Sequence, residues 1–390
     1  MKAMKKDGIL IITSQHRWDD PRIFFKQARS LAKKYPVELH APAKGNPFFS
    51  EGVYIVPMPL YGRRLLRPLN WLRLLYRGYR SQARVIHLHD PELLPVGFVL
   101  KYIGKKKLIY DVHEDFSATM HYKPWIPVRL RRFLAHWLGK AEKWFSRRAN
   151  ALVLAEECYW KLFTDTTVPK VGIYNYPLLD LIPKSTPYKL KNSPINIVYA
   201  GGISKPRGAL QMVRALSLVN WHGQDFRLIL IGPVQPPVLR NKIMSLAERL
   251  GLSENVKFTG LIPLKGVYSY YLNTDLGLAL LHPEKNYVES MATKIFEYMA
   301  AGIPVLASNF PAWNKLLEES GCGLNVDPLN EKSIAAKIEL MLNNPNRRRQ
   351  FGNNGYQSFL NKYNWDLEEK KLLSLYKNML LPETRVVKGD

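Results

Sequence analysis

Short runs of aliphatic and β-branched residues recur along the chain at 8–13, 36–40, 53–56, 85–89, 107–110, 151–155 and 171–174. Each run is continuous rather than alternating, and amphipathic stretches separate them. That is the pattern of parallel strands buried on both faces between helices. A second series follows at 195–200, 227–232, 256–259, 276–280, 304–308 and 323–326. Between the two series, residues 181–194 are rich in Lys, Pro and Ser and show no period, so a linker is expected there. The pattern predicts two doubly wound α/β domains, 1–180 and 195–364, joined by the linker 181–194 and followed by a helical tail, 365–390. In the tail, Leu367, Leu372, Leu373, Leu375 and Tyr376 mark one or two amphipathic helices that could cross back to the first domain.

Composition agrees with two folded cores. The 390 residues exceed one ordinary domain, and 46% hydrophobic with 23% charged residues argues against a disordered chain or a disulfide scaffold. Cys158 and Cys322 sit in different predicted domains without metal-ligand spacing, and are expected to be free thiols in a reducing compartment. The opening apolar run, 8–12, is shorter than a signal-peptide core, and no stretch reaches the length of a membrane span. A cytoplasmic protein is expected.

Charge changes the picture. The formal net charge is +25, with 31 Lys and Arg against 15 Asp and Glu in residues 1–180, and 26 against 17 in the remainder. Residues 61–80 contain no acid, and 122–148 hold eight basic residues against Glu142, interleaved with Trp125, Trp137 and Trp144. Segments 61–84 and 121–148 therefore read as helices lying on an anionic membrane, the protein being peripheral on its inner face. The alternative is a solvated basic face with an ordinary core side. Nucleic acid is the rival partner, but helix-turn-helix, zinc and RNA-binding patterns are all missing from the sequence, so none is expected.

Candidate chemistry is densest from Glu289 to Val305. Thr293 as N-cap and Gly302 with Pro304 as stop predict a helix over 294–301, its N-terminus at the carboxyl end of a sheet. Free N–H groups there attract phosphate, and Lys294 adds a full charge. Glu297, three residues on, shares the face of Lys294. Two ribose hydroxyls could donate to its two carboxylate oxygens. Glu289 lies before the helix in a predicted loop and reaches further out. The second domain opens on Gly201 and Gly202 after a strand, with Lys205 and Arg207 following. Such a turn lets backbone approach a diphosphate. Gly232 and Gly260 end two later strands.

Two glutamates separated by seven residues ahead of Ala300-Ala301-Gly302-Ile303-Pro304-Val305 make the chain resemble the family 4 glycosyltransferases of the GT-B fold, of the bacterial polysaccharide and cell-envelope type. The resemblance implies two Rossmann-like domains facing a cleft. It implies that Glu297 holds the donor ribose, that Glu289 contacts the transferred sugar, and that Lys294 or nearby main chain, including Thr293, meets the phosphates. Gly232 resembles the family's turn near the nucleotide base. Family members often carry an arginine where Gly202 stands here, so phosphate contacts fall to Arg207 and Lys294.

In the first domain, Ile86-His87-Leu88-His89-Asp90-Pro91-Glu92 and Asp111-Val112-His113-Glu114-Asp115-Phe116 both follow strands, placing them at the carboxyl edge of that sheet. His113 is the candidate for a hydrogen bond to the donor sugar, with Asp90, Glu114 and Arg22 on the acceptor side. Ser14 stands where many family members have a Gly-Gly pair, so no backbone approach to a donor phosphate is expected from this loop. The resemblance argues for helix ends and basic side chains in place of a metal, and no cofactor is expected beyond the nucleotide-sugar co-substrate.

The expected reaction moves a hexose from a nucleoside diphosphate sugar, UDP-sugar before GDP-sugar, to a hydroxyl of a lipid-linked or glycan acceptor with retention at the anomeric carbon. His113, Lys294, Arg207 and Glu289 form the expected catalytic set. A sugar-nucleotide 2-epimerase of the same fold and a non-enzymatic basic membrane or nucleic-acid binder are the alternatives.

Overall fold

The computed structural model describes residues 8–59, 61, 66–120, 126–181 and 194–381. The chain divides into two compact units, one being Met1–Asn175 with Asp366–Asp390, the other Tyr176–Trp365.

The sheet of the first unit contains β1 (Ile9–Ile12), β2 (Val37–Pro42), β3 (Phe48–Ser50), β4 (Val53–Met58), β5 (Val85–Leu88), β6 (Lys107–Val112), β7 (Ala151–Leu154) and β8 (Lys170–Gly172). Their order is β3-β4-β2-β1-β5-β6-β7-β8, parallel throughout except for the antiparallel β3–β4 pair. Ile9, Leu10, Ile11 and Ile12 have no solvent exposure, as continuous apolar strands covered on both faces require. The antiparallel β3 falls outside the runs expected from the sequence. It is three residues long, and neither Phe48 nor Phe49 is buried.

The second unit carries β9 (Ile195–Ala200), β10 (Phe226–Ile231), β11 (Val256–Gly260), β12 (Leu276–Ala279), β13 (Val305–Ser308) and β14 (Gly323–Val326), ordered β11-β10-β9-β12-β13-β14 and all parallel. In each unit the chain winds outward in one direction, then returns to the other side of its first strand. The reversals lie between β1 and β5 and between β9 and β12. Crossover connections leave such a point in opposite directions and open a crevice at the carboxyl ends of the strands. Both groups of candidate residues lie at these two points.

The expected domain limits need correction. The second unit begins at Tyr176 rather than 195, because the Tyr176 ring packs against Phe296 and Tyr363 at centroid distances of 4.7 and 5.4 Å. Trp365 also belongs to it, donating its backbone N–H to the Pro177 carbonyl. Most of the expected linker lies outside the described residues. The tail forms one helix, Trp365–Leu380, and from Asp366 onward it is part of the first unit. Glu368 accepts from the Tyr174 backbone N–H at 2.9 Å, Glu369 pairs with Lys33 at 2.7 Å, and the Tyr376 hydroxyl meets His87 Nδ1 at 2.7 Å. The expected tail end, 382–390, lies outside the described residues.

Candidate active site

Glycine turns build the mouth of the second unit. Gly201, directly after β9, has φ +125°, and Gly232, directly after β10, has φ +130°. The two backbones lie so close that a Cβ on Gly232 would stand 2.2 Å from the Gly201 carbonyl oxygen. Gly201 N–H bonds the Ile231 carbonyl and Gly232 N–H the Gly260 carbonyl, so the three turns brace one another. Into this mouth reach two cations. A Cβ on Gly201 would lie 3.6 Å from both Arg207 Nη1 and Lys294 Nζ, and one on Gly202 would lie 3.1 Å from Arg207 Nη1.

Arg207 donates to the Gly202 carbonyl at 3.3 Å and approaches the Tyr287 hydroxyl at 3.5 Å. Lys294 is buried above the Tyr199 ring, 4.9 Å from its centroid. Among the described residues neither cation has a carboxylate within ion-pair distance. Burial first, and then repulsion from Arg207, lower the Lys294 ammonium to about 8, with Glu297 opposing. A space walled by glycine backbone and two cations with no carboxylate at ion-pair distance fits an oxyanion such as a diphosphate. Lys205 is exposed on the same Lys205–Arg207 turn.

The helix below Lys294 runs Thr293–Ala300. It starts one residue earlier than the sequence suggests. Ala292, not Thr293, occupies the cap position, with φ −73° and ψ 114° and no side-chain cap bond, and exposed Thr293 opens the helix. Ile295, Phe296, Tyr298, Met299 and Ala300 are buried, and Tyr298 fits over Gly277 of β12, where a Cβ would lie 2.5 Å from the ring. Glycine at 277 thus lets the helix lie close on the sheet and sets the height of Lys294.

Glu297 is half-buried, and its Oε2 accepts the Tyr271 hydroxyl at 2.8 Å. This corrects the picture of two free carboxylate oxygens, since one already serves a buried tyrosine and a ribose would meet the other. Glu289 is the last residue of a short helix, Lys285–Glu289, rather than part of a loop, and it is exposed. Tyr271 and Tyr287 were not foreseen; only their contacts with Glu297 and Arg207 reveal them.

At the mouth of the first unit the candidates turn inward. Arg22 is buried and forks onto Asp111, with Nε–Oδ1 3.2 Å and Nη2–Oδ2 2.9 Å, and Gln27 donates to Asp111 Oδ2 at 2.7 Å. Burial alone would raise the Asp111 carboxyl, but the guanidinium holds it well below the usual carboxylate range. Asp90 is equally buried and accepts from Thr13 Oγ1 at 2.9 Å and the Ser14 backbone N–H at 2.5 Å. Arg22 and Asp90, expected on the acceptor side, are thus both buried and bonded within the unit, with Arg22 Nη1 left without a partner among the described residues. Glu114 stays half-buried at the edge. His113 Nε2 lies 3.1 Å from His16 Nε2, while its Nδ1 is buried 3.7 Å from Asp111 Oδ1. Neither ring nitrogen is open to a sugar unless His16 turns away.

Donor atoms of His87, His89 and Asp111 lie within 4.8 Å of one another. Arg22 and Gln27 already occupy both Asp111 oxygens, and a guanidinium 2.9 Å away opposes a second cation. Burial drives the fully enclosed His89 well below its ordinary pKa, so it is neutral. The cluster is an ion pair roofed by stacked imidazoles, His87 and His89 having centroids 4.6 Å apart.

The same unit carries a basic surface. The helix Val128–Ser146 leaves Val128, Phe133 and Trp137 at least 54% exposed beside exposed Arg129, Arg132, Lys140 and Lys143. Its inner side holds Ala135 against Met120 and Ile126, and Glu142, which accepts the Tyr110 hydroxyl. The helix Arg67–Arg80 exposes Leu72, Tyr76 and Tyr79. Residues 62–65 and 121–125 of these basic segments lie outside the described residues. Among the described residues no helix is long and apolar enough to cross a membrane.

Comparison with known proteins fits this architecture. The family model for glycosyl transferases group 1 matches residues 184–358, and that for Glycosyltransferase Family 4 matches 22–155. A capsular polysaccharide biosynthesis glycosyltransferase, CapM of Staphylococcus aureus, is 24% identical over 50% of this chain and 48% of its own length. The chain thus spans about half the length of the first curated relatives it matches, 48%, 47% and 44%. Among solved structures, sucrose-phosphate synthase from Thermosynechococcus elongatus superposes with a TM-score of 0.76 at 18% identity, covering 96% of this chain and 99% of that one. The Anabaena protein HepE in complex with UDP and glucose gives 0.71 at 16% identity, covering 95% and 100%. With two parallel-sheet units, neighbours of GT-B fold and a family model matching each unit, the chain is a family 4-like glycosyltransferase.

Proposed function

We propose that the protein moves a hexose from a nucleoside diphosphate sugar to a hydroxyl of a lipid-linked or glycan acceptor, with retention at the anomeric carbon. The observation that carries this reading is the convergence of Arg207 and Lys294 on the Gly201–Gly202 turn without a carboxylate to neutralise them. A UDP-sugar is the favoured donor and a GDP-sugar the next; the UDP-bound neighbour supports that order. The free oxygen of Glu297 takes a ribose hydroxyl, and exposed Glu289 faces the transferred sugar.

As the bond from the anomeric carbon to the phosphate oxygen breaks, negative charge grows on the leaving diphosphate. Lys294, Arg207 and the N–H groups opening the Thr293–Ala300 helix would receive it. The acceptor oxygen bonds the same carbon on the same face, and its proton passes to the departing phosphate oxygen. Two side-chain cations and a helix end supply the charge that a metal would, so transfer should survive chelation by EDTA.

The basic aromatic surface, which fits the anionic lipids of an inner membrane leaflet, supports a lipid-linked acceptor. A thermal-shift panel of UDP-, GDP- and ADP-sugars tests the donor reading, since a bound ligand raises apparent stability by mass action. A rise with one base series supports it; no rise with any sugar nucleotide overturns it. Products formed without acceptor would instead indicate an epimerase.

A further inference from the structure

His16, in the loop after β1, has no part in the scheme above, yet it holds the outer nitrogen of His113. The two Nε2 atoms are 3.1 Å apart, and the rings meet edge to face with centroids at 4.9 Å. Two imidazole nitrogens at that distance need one proton between them. Asp20 Oδ2 stands 3.4 Å from His16 Nδ1, Asp90 Oδ1 stands 3.5 Å from His16 Nε2, and the charge of Glu114 also reaches the ring. On the far side, Asp111 Oδ1 faces His113 Nδ1 at 3.7 Å, and neutral His89 lies beyond. A carboxylate therefore faces the Nδ1 of each ring.

We propose that His16 is a positioning residue: it donates its Nε2 proton to His113 Nε2 and so holds His113 in the form protonated on Nδ1, toward Asp111. The opposite assignment would set the Nδ1 lone pair of His113 against a buried carboxylate. Burial would depress the His16 pKa, but its bond to Asp20 and the charges of Asp90, Asp20 and Glu114 outweigh burial and raise it above the ordinary value. The charged form therefore persists past the usual histidine midpoint and is lost as pH rises through the raised one. Once neutral, His16 keeps its Nδ1 proton on Asp20, and its Nε2 becomes an acceptor. His113 then takes the shared proton on Nε2, at the cost of turning its Nδ1 lone pair toward Asp111.

Long-range proton–nitrogen spectra of the full chain with labelled histidine, followed from about pH 5.5 to about pH 9, test the assignment. The expected result is His113 in the Nδ1–H form at the acid end, changing form as His16 deprotonates with a midpoint above the usual histidine value. His16→Gln supplies an amide donor that does not titrate, so His113 should keep the Nδ1–H form throughout, and the corresponding limb should vanish from the pH–rate profile. His113 in the Nε2–H form at the acid end of the wild type, or a limb unchanged in His16→Gln, overturns the proposal. The rate measurement rests on the glycosyl-transfer reading; the spectra do not. Failure to find any transfer would sink that reading while the spectra still decide the proton's position.

Discussion

The Lys294 ammonium, brought down to about 8 by burial and then by Arg207, keeps its proton weakly while the site lacks an anion. A bound diphosphate supplies that anion and restores the proton's hold. Nucleotide affinity should fall as pH rises past about 8, with proton uptake on binding visible by calorimetry in buffers of different ionisation heat. Without nucleotide the sign reverses for stability: the unfolded chain binds this proton more tightly, so the fold gains stability as pH climbs from about 8 toward the ordinary lysine value. Lys294→Ala should lower kcat/KM by about 100-fold or more, and pH-independent affinity would remove the residue from the phosphates. Arg22 makes a different prediction. Its truncation to alanine leaves Asp111 buried and unpaired, at a cost of about 3–5 kcal/mol in denaturant unfolding. A loss under about 1 kcal/mol would mean that water replaces the guanidinium. The charge of Arg22 was legible in the sequence and its direction was not, because Asp111 lies 89 residues away and no local period connects them. Lys294 was legible for the opposite reason, being fixed by its own helix at the end of its own strand.

At the scale of elements, the parallel strands could be read because burial on both faces leaves an unbroken apolar run, and only their ends moved by one or two residues. Helix limits depend on backbone angles near a cap, which is why Thr293 moved from the cap into the first turn. The glycine turns were legible as punctuation, but the sequence cannot show which ones touch. Gly232→Ala should place its methyl group 2.2 Å from the Gly201 carbonyl in a backbone region reserved for glycine, pushing the turn away from both cations. Gly260→Ala has φ +70° and nothing within 4 Å, so it bears only backbone strain, about 1 kcal/mol. Melting curves with and without UDP separate the two. The Gly232 variant should lose most of the nucleotide-induced shift and the Gly260 variant should retain it; equal responses would contradict the braced-turn geometry.

For the whole molecule, the basic aromatic surface has a direct test. Serine at Phe133 and Trp137 removes exposed apolar surface, so the fold should stand, while binding to anionic vesicles should weaken by at least about tenfold. Binding should also fall with added salt. Equal sedimentation with zwitterionic vesicles would rule out the charge component. The return of the last helix to the first unit has a consequence in time as well as in space. Tyr376 is made 289 residues after the His87 it bonds, whereas the second unit is one uninterrupted stretch. On the ribosome, the part begun first is then the part finished last. A nascent chain arrested before the helix emerges should hold a protease-resistant 176–365 core beside a first unit that is still cut freely, its strands made and its final helix not yet delivered.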